Sequence, residues 1–300
     1  MSAPARADER GATLLDASFV RELEALRRRL LIRARSGASG EHLARRRGGA
    51  AEFHEHRPYA AGDDLRRIDW AAYARSGEPV VKIFRSEEDV IARLVVDDSG
   101  SLDFGTPSKL DVARKLAAAI GYMTLASSER AQLFVVGEGL EREHPPSRGR
   151  SGLPTLLRQL DAMRATGRTD LSRALDSLLR RCPRPGLLVL LSDFLDPGPV
   201  LAGLHRAVAA GHDVTLLHVA TPEEVEPAFD DDVTLEDVET GETLDVTMDS
   251  GAVEAYLLRF AGLCEELRSW ARAHGTSYVR ARTDSPLDEA VRRIVARSID

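Results

Sequence analysis

Residues 90–220 alternate short apolar runs with amphipathic runs, and this alternation constrains the fold of the chain more than any other feature. The apolar runs are rich in Leu, Val and Ile, which is typical of strands buried on both faces; they are IARLVVD, AQLFVV, GLLVLLSD and DVTLLHVA. The intervening runs repeat their apolar residues at helical spacing; they are SKLDVARKLAAAIGYMTLAS, SGLPTLLRQLDAM, TDLSRALDSLLRR and GPVLAGLHRAVAAG. Strands and helices in this order predict an α/β fold with a doubly wound, mainly parallel sheet and helices on both faces.

Changes in this pattern divide the chain into regions. Residues 1–17 are polar and Ala-rich, which predicts a disordered lead-in. Residues 18–89 begin with a Leu-rich helical segment and continue through short strand-like pieces, which predicts an N-terminal helix and a small β-containing subdomain. Residues 90–300 are predicted to form the α/β domain, with a β-hairpin insertion near 229–248. The helix, strand and helix that follow the hairpin could extend the same sheet.

The composition narrows the classes of partner and compartment. A formal net charge of -7 does not attract nucleic acid or an anionic membrane. No window approaches the roughly 20 apolar residues of a membrane-spanning helix. Cys182 and Cys264 lie far apart without metal-ligand spacing, so we expect two buried thiols in a reducing compartment. The sequence therefore predicts a cytoplasmic protein that binds no nucleic acid and has no membrane span.

Oxygen-bearing side chains follow several of the predicted strands. Asp97, Ser99 and Ser101 come after the first strand of the α/β region, Thr169 precedes a helix, and Asp193 ends a later strand. Ligands of doubly wound sheets bind at the carboxyl ends of the strands, where these residues are expected to meet. Two carboxylates and three hydroxyls suit Mg²⁺, whereas Ca²⁺ usually takes more carboxylates. Such a site leaves room for an acidic residue of a protein partner, so the pattern indicates binding rather than catalysis.

Each of these residues also has a simpler interpretation. The loop that starts at Asp97 could be an Asx/Ser turn that only caps the next element. Asp98 is expected to point away from the ion, into solvent or toward a basic residue. Thr169 stands where a helix N-cap is expected, ahead of Asp170, and could serve as that cap. Asp193 could be an ordinary helix-entry residue, although a carboxylate that ends a buried strand needs a partner or solvent.

The segment GDDLRRIDW also has two interpretations. It could be a docking surface for a partner, or an ion-pair network that holds the small subdomain on the sheet with Trp70 as its apolar anchor. The ion-pair network is favoured because the segment contains both acidic and basic residues. The basic run at residues 45–47 and the pair His54 and His56 lack the companions of a nucleic-acid or zinc site.

The order of the oxygen-bearing residues resembles the metal-ion-dependent adhesion site of von Willebrand factor A domains. All five positions of that pattern, Asp97-x-Ser99-x-Ser101, then Thr169, then Asp193, carry matching residue types. The resemblance implies a von Willebrand factor A-like fold whose first metal loop contains Asp97, Ser99 and Ser101, with Thr169 on the second loop and Asp193 on the third. It also implies a Mg²⁺ ion, with Mn²⁺ and Ca²⁺ as alternatives.

A second resemblance extends from about Leu23 to the C-terminus. The run GAAEFHEHRPYAAGDDLRRIDWAAYARSGEPVVKIF, whose most specific part is GDDxRxIDW, is similar to the bacterial family called domain of unknown function 58. Its members are generally thought of as von Willebrand A-like proteins that act beside MoxR-type AAA ATPases. The resemblance therefore implies a MoxR-type AAA ATPase as the protein partner.

These features together predict a non-catalytic, divalent-metal-dependent protein–protein interaction module that acts as an adaptor or co-chaperone of a MoxR-type ATPase. The chain has neither the GxSxG elbow of serine hydrolases nor the DxDx[TV] pattern of aspartyl phosphatases. A metal-dependent hydrolase or phosphatase is one alternative. A structural scaffold with a vestigial metal site is another.

Overall fold

The computed structural model describes residues 16–36, 52–60, 63, 68–85, 91–195, 198–227, 232–236, 243–247 and 250–297. In chain order the elements are α1 (Ala17–Ser36), β1 (Glu52–Pro58), α2 (Trp70–Ser76), β2 (Val80–Arg85), β3 (Ile91–Asp97), α3 (Lys109–Ala126), β4 (Arg130–Val136), β5 (Leu140–Glu143), β6 (Ser147–Arg148), α4 (Leu153–Asp161), α5 (Leu171–Arg181), β7 (Leu187–Ser192), α6 (Gly198–Ala209), β8 (Asp213–Ala220), α7 (Pro222–Val225), β9 (Asp232–Glu236), β10 (Thr243–Thr247), α8 (Ser250–Ala273), β11 (Ser277–Arg282) and α9 (Leu287–Arg297).

A seven-stranded sheet with the order β11-β8-β7-β3-β4-β5, and with β6 beside β4, forms the centre of the described part of the chain. The pairs from β11 through β4 are parallel, whereas β5 and β6 pair with β4 antiparallel. The predicted α/β class and mainly parallel sheet are confirmed, and β11 extends the sheet as expected. β5 and β6 were not predicted, because both are short and largely exposed and so carry no apolar run.

The two faces of the sheet are covered by different helices, as the doubly wound pattern predicts. Alternate strand residues such as Leu94 and Leu191 point to one face, where α1, α3, α4 and α9 supply buried side chains. Their neighbours Val95 and Leu190 point to the other face, which is covered by α5, α6 and α8. Because both faces are buried, the strands lack the alternation of apolar and polar residues that half-exposed strands show.

Helix α1 packs on the same core as the α/β helices. Phe19, Leu23 and Leu26 lie on one side of the helix and are at most 5% exposed. The guanidinium of Arg27 donates to the carbonyl oxygen of Ala126 at the end of α3, at 3.2 Å. The sequence analysis grouped this helix with the β subdomain, and its apolar spacing shows why it also packs on the larger sheet.

Two small antiparallel ribbons lie outside the main sheet. β1 pairs with β2, and β9 pairs with β10 as the predicted hairpin. The turn residues 239–242 of that hairpin fall outside the described residues, as do the basic run at 45–47 and most of the predicted lead-in.

The expected role of Trp70 as an apolar anchor is wrong. Its side chain is 60% exposed on α2, while the neighbouring Ile68 is buried and bridges to Val81 of β2. Asp69 caps α2 by accepting hydrogen bonds from two backbone N–H groups. Asp63 is 2.7 Å from the guanidinium of Arg57, which precedes the segment, and Asp64, Arg66 and Arg67 of the predicted network lie outside the described residues. The sequence could not show that Ile68, two residues before Trp70, fills the apolar space instead.

Both cysteines are free and buried, as expected. In the described segments, we find no helix with both the length and the apolarity needed to cross a membrane.

Candidate functional site

The strand order places a crevice between the carboxyl ends of β3 and β7. These strands are parallel neighbours, but the chain leaves β3 toward β4 on one side and leaves β7 toward β8 on the other. Such a reversal is the topological switch point at which doubly wound proteins bind ligands. Asp97 ends β3, Ser192 ends β7, and the hydroxyl of Ser192 donates to Oδ2 of Asp97 at 2.6 Å. The two loops are therefore joined at the crevice.

The first loop folds back on the Asp97 carboxylate. Oδ1 of Asp97 accepts a hydrogen bond from the backbone N–H of Ser99 at 3.0 Å. A short 3-10 turn at Gly100–Asp103 follows and brings Oγ of Ser101 within 3.1 Å of Oγ of Ser99. The predicted Asx turn is present, and the same turn also gathers a carboxylate and two hydroxyls into one loop.

Backbone hydrogen bonds fasten the second loop to the first. The N–H of Thr166 donates to the carbonyl of Asp98 at 2.7 Å, and the N–H of Gly100 donates to the carbonyl of Gly167 at 2.9 Å. Gly167 has a φ of 71°, a left-handed conformation that favours glycine. These contacts bring the Thr169 side chain to the wall of the crevice.

Thr169 is not the N-cap of α5, so that interpretation is wrong. The cap is Asp170, whose carboxylate accepts a hydrogen bond from the N–H of Arg173 at 2.9 Å. The hydroxyl of Thr169 makes only a long contact of 3.4 Å to the carbonyl of Gly137. Thr169 and Asp170 are adjacent, and the side chain of either residue type can cap a helix. Only the backbone geometry shows which of the two does so.

Replacing Asp170 with Ala should lower the free energy of unfolding by about 1 kcal/mol, the usual effect of losing an N-cap side chain. The matched variant Thr169→Ala should change it by less than about 0.5 kcal/mol, because that hydroxyl caps nothing. Urea denaturation of both variants in metal-free buffer measures the difference. A larger loss for Thr169→Ala than for Asp170→Ala would contradict this assignment of the cap.

Asp98 turns away from the crevice, as predicted. Its carboxylate lies 2.9 Å from the guanidinium of Arg142. Burial raises the pKa of Asp98 to about 6, and the charge of Arg142 opposes that rise. Asp98 therefore belongs to an ion pair behind the first loop rather than to the candidate site.

Asp193 takes part in a buried ion-pair cluster that the sequence analysis did not foresee. The ammonium of Lys109, the first residue of α3, lies 2.7 Å from Oδ2 of Asp193 and 2.6 Å from Oε1 of Glu224. Lys109 is 1% exposed. A cation at the N-terminus of a helix faces the positive end of the helix dipole, so its position there depends on nearby carboxylates. The alternative that Asp193 is an ordinary helix-entry residue does not account for this contact.

Glu224 is held in place by a capping box at the start of α7. Oε2 of Glu224 accepts the backbone N–H of Thr221 at 2.8 Å, and the Thr221 hydroxyl accepts the N–H of Glu224. Thr221 follows β8, the strand next to β7. A third strand therefore contributes a carboxylate to the same edge of the sheet.

The turn after Asp193 has an unusual backbone conformation. Phe194 has a φ of 51°, in the left-handed region that non-glycine residues seldom adopt. Its N–H donates to the hydroxyl of Ser192 at 3.0 Å, and its ring packs against His218 with 5.9 Å between centroids. Strained residues of this kind cluster at functional sites, where surrounding contacts enforce them. Phe194 directly follows Asp193, whose carboxylate lines the cleft.

The two central carboxylates repel each other. Burial first, and then the negative charge of Asp193, raise the pKa of Asp97 to about 7, against the hydrogen bonds from Ser192 and Ser99. Burial alone would lower the pKa of Lys109, but the charges of Asp193 and Glu224 raise it above its usual value. The Lys109 ammonium contacts two of the three carboxylates at this edge, those of Asp193 and Glu224.

The crevice opens into a cleft of about 1230 Å³. Ser101, Thr169 and Asp193 line the cleft, while Asp97 and Ser99 are fully buried beneath it. Side chains that also line it include Phe104, Lys109, Val200, Glu224 and Tyr256. The structure therefore brings the five predicted positions to one edge of the sheet, in two layers.

The donor chemistry of this edge fits a hard divalent cation. The available donors are carboxylate and hydroxyl oxygens, which Mg²⁺ prefers. No group of three or more His, Cys, Asp or Glu side chains within the described ranges forms a metal-binding cluster. The predicted set contains only two residues of those types, Asp97 and Asp193, and its remaining donors are hydroxyls.

These observations define an α/β protein with a mainly parallel sheet and an acidic, oxygen-lined crevice at the carboxyl edge of that sheet. The chain belongs to the family described as protein of unknown function DUF58, whose model matches residues 55–260.

Similar proteins occur in mycobacteria. A protein of Mycobacterium tuberculosis, described as uncharacterized, is 34% identical over 264 residues, which are 86% of this chain and 83% of that protein. A Mycobacterium avium protein, also described as uncharacterized, is 34% identical over 143 residues, or 47% of this chain. Among solved structures, BatB from Bacteroides thetaiotaomicron covers 70% of this chain and 100% of its own, with a TM-score of 0.49 and 18% sequence identity.

Proposed function

We propose that this chain is a non-catalytic, divalent-metal-dependent protein–protein interaction module with a von Willebrand factor A-like fold. Its cation, Mg²⁺ in the first instance, would be held by Asp97, Ser99, Ser101, Thr169 and Asp193. One observation carries the proposal: oxygen donors from separate loops converge at the switch point of the sheet, around two buried carboxylates, and the charge of Asp193 helps to raise the pKa of Asp97.

The residues have distinct parts in this proposal. Asp97 supplies a buried negative charge, and the hydrogen bond from Ser192 fixes its direction. Lys109 holds one oxygen of Asp193, which leaves the other oxygen for the cation. The bound ion would supply a coordination position for a carboxylate of the partner, and the cleft above the site gives that side chain access.

A non-catalytic role is supported by the residues around the cleft. The described side chains that line it include no histidine to serve as a general base and no cysteine to serve as a nucleophile. The hydrolase or phosphatase alternative thus lacks these two groups at the candidate site.

As partner we propose a MoxR-type AAA ATPase in the cytoplasm, with this chain as its adaptor or co-chaperone. This part rests on what is generally thought of members of this family, whose description itself gives no function. The test is biolayer interferometry between the purified chain and the MoxR-type ATPase of the same organism at constant Mg²⁺. We expect binding by the wild type and by Asp98→Asn, and at least tenfold weaker binding by Asp97→Asn. Equal binding by all three proteins would overturn metal-dependent docking.

A second candidate function is a structural scaffold whose metal site is vestigial, and the Lys109 cluster favours it. The Lys109 ammonium already bridges Asp193 and Glu224, so a resident cation could replace the metal. This candidate requires the same melting temperature in Mg²⁺ and in EDTA. The metal-dependent module requires a higher one in Mg²⁺, because an ion that binds only the folded state stabilises it.

A further inference from the structure

Two histidines meet on the surface, away from the acidic crevice. His205 lies on α6, and His274 directly follows α8. Nδ1 of His205 is 3.0 Å from Nε2 of His274, and the rings are nearly perpendicular, with an interplanar angle of 80°. His205 is exposed and His274 is half-buried, so solvent reaches the pair. His205 and His274, which are 69 positions apart in the sequence, thus bring two imidazole nitrogens close together.

The backbone fixes the tautomer of His274. Its Nδ1 lies 2.8 Å from the carbonyl oxygen of Trp270, and since a carbonyl only accepts, Nδ1 carries the proton and donates it. Nε2 of His274 therefore presents a lone pair toward His205. The ring also stacks on the Trp270 indole, with 4.6 Å between centroids and 23° between planes. Metal-binding histidines are commonly oriented by such a hydrogen bond from the other ring nitrogen to a carbonyl.

We propose that His205 and His274 form a binding site for a divalent transition metal ion, Cu²⁺ or Ni²⁺. With metal–nitrogen bonds of about 2.0–2.1 Å, nitrogens 3.0 Å apart subtend an angle of about 94° at the ion. That angle suits the square-planar or tetragonal geometry of Cu²⁺ and Ni²⁺ better than the tetrahedral geometry of Zn²⁺. Binding requires that the proton on His205 move from Nδ1 to Nε2 and that the rings turn so that both lone pairs point to the ion. Water fills the other coordination positions.

This site differs in chemistry from the acidic crevice. Mg²⁺ takes oxygen ligands, whereas neutral imidazole suits Cu²⁺ and Ni²⁺. The histidine pair joins α6 to the end of α8, and these helices also contribute Val200 and Tyr256 to the walls of the cleft. A bound ion would therefore cross-link α6 to the end of α8 without touching the acidic residues of the cleft.

Tryptophan fluorescence provides the test, because Trp270 stacks directly on the proposed ligand His274. The chain has two tryptophans, and Trp70→Phe leaves Trp270 as the sole fluorophore. We expect Cu²⁺ to quench this background protein with saturation at one equivalent, and Ni²⁺ to bind more tightly than Mg²⁺. In that background, His205→Ala and His274→Gln should each weaken Cu²⁺ binding at least roughly tenfold. Losing even a group that only hydrogen-bonds to a metal ligand weakens metal binding by about that factor.

Matched controls separate this site from other imidazoles and from folding defects. His144→Gln removes a histidine that lies elsewhere and should leave Cu²⁺ binding unchanged. Circular dichroism in EDTA checks that each variant is folded before titration. Unchanged Cu²⁺ affinity in folded His205→Ala and His274→Gln would overturn the proposal. Tighter binding of Zn²⁺ than of Ni²⁺ would overturn the assigned geometry.

Discussion

Replacing Lys109 with Met is expected to lower the free energy of unfolding by about 3–5 kcal/mol, the range for removing one partner of a buried ion pair. The Lys109 ammonium is the cation that the structure places between Asp193 and Glu224. The Asp193 side chain is 4% exposed, so its carboxylate would lose its ion pair without gaining full hydration. Met keeps the length of the side chain, so the loss reports the charge rather than a cavity.

Urea denaturation at pH 7.5 in EDTA measures this effect, and Lys115→Met is the matched control. Lys115 lies on the same helix, is half-buried, and should change stability by no more than about 0.5 kcal/mol. If Lys109→Met loses no more free energy of unfolding than Lys115→Met, the ion-pair cluster does not make the proposed contribution to stability.

Replacing Asp97 with Asn is expected to stabilise the metal-free protein at pH 8 by about 2–4 kcal/mol. The pKa of Asp97 is raised to about 7 in the folded state from an ordinary value of 3.8, first by burial and then by Asp193. The folded state therefore holds the proton more tightly than the unfolded state does. The free energy of unfolding therefore falls as the pH rises from 3.8 to about 7, and the full loss remains at higher pH. Asn has no charge to bury and avoids that cost.

The same variant supplies its own control through pH. At pH 4 the carboxyl of Asp97 is protonated in the folded protein. The free energies of unfolding of the wild type and Asp97→Asn should therefore differ by less than about 1 kcal/mol, the contribution of one altered hydrogen bond. Chemical denaturation of both proteins in EDTA at pH 4, 6 and 8 follows the change. A wild type more stable than Asp97→Asn at pH 8 would show that Asp97 is well satisfied without a metal ion.

The strands and the positions of the site loops could be predicted because their signals are local. Buried parallel strands are continuous apolar runs, and parallel strands bring their carboxyl ends to the same edge. Asp97 and Asp193 were therefore expected near each other from their order alone. The exposed fraction of Trp70 could not be predicted in this way, since it depends on how Ile68 packs against β2.

Lys109 and Glu224 could not be found from local pattern alone. Lys109 is 84 residues from Asp193 and 115 from Glu224 in sequence, and its run has an ordinary helical pattern. Two weak signals were available. A lysine in the first turn of a helix opposes the helix dipole. The sequence from Thr221 to Glu224 also has the spacing of a capping box after a buried strand. Both signals point to the carboxyl edge of the sheet, although neither identifies the ion-pair partner.

Calorimetric titration with Mg²⁺ and Mn²⁺ at pH 8 tests the central claim most directly, on the wild type, Asp97→Asn, Asp193→Asn and Asp98→Asn. Asp98 is the matched control because its carboxylate pairs with Arg142 outside the crevice. The account predicts saturable binding of one ion by the wild type and by Asp98→Asn, and no binding by Asp97→Asn or Asp193→Asn. Absence of binding by the wild type, together with equal melting temperatures in Mg²⁺ and EDTA, would contradict the metal-dependent module. That result would support the structural scaffold, in which the Lys109 ammonium takes the place of a metal ion.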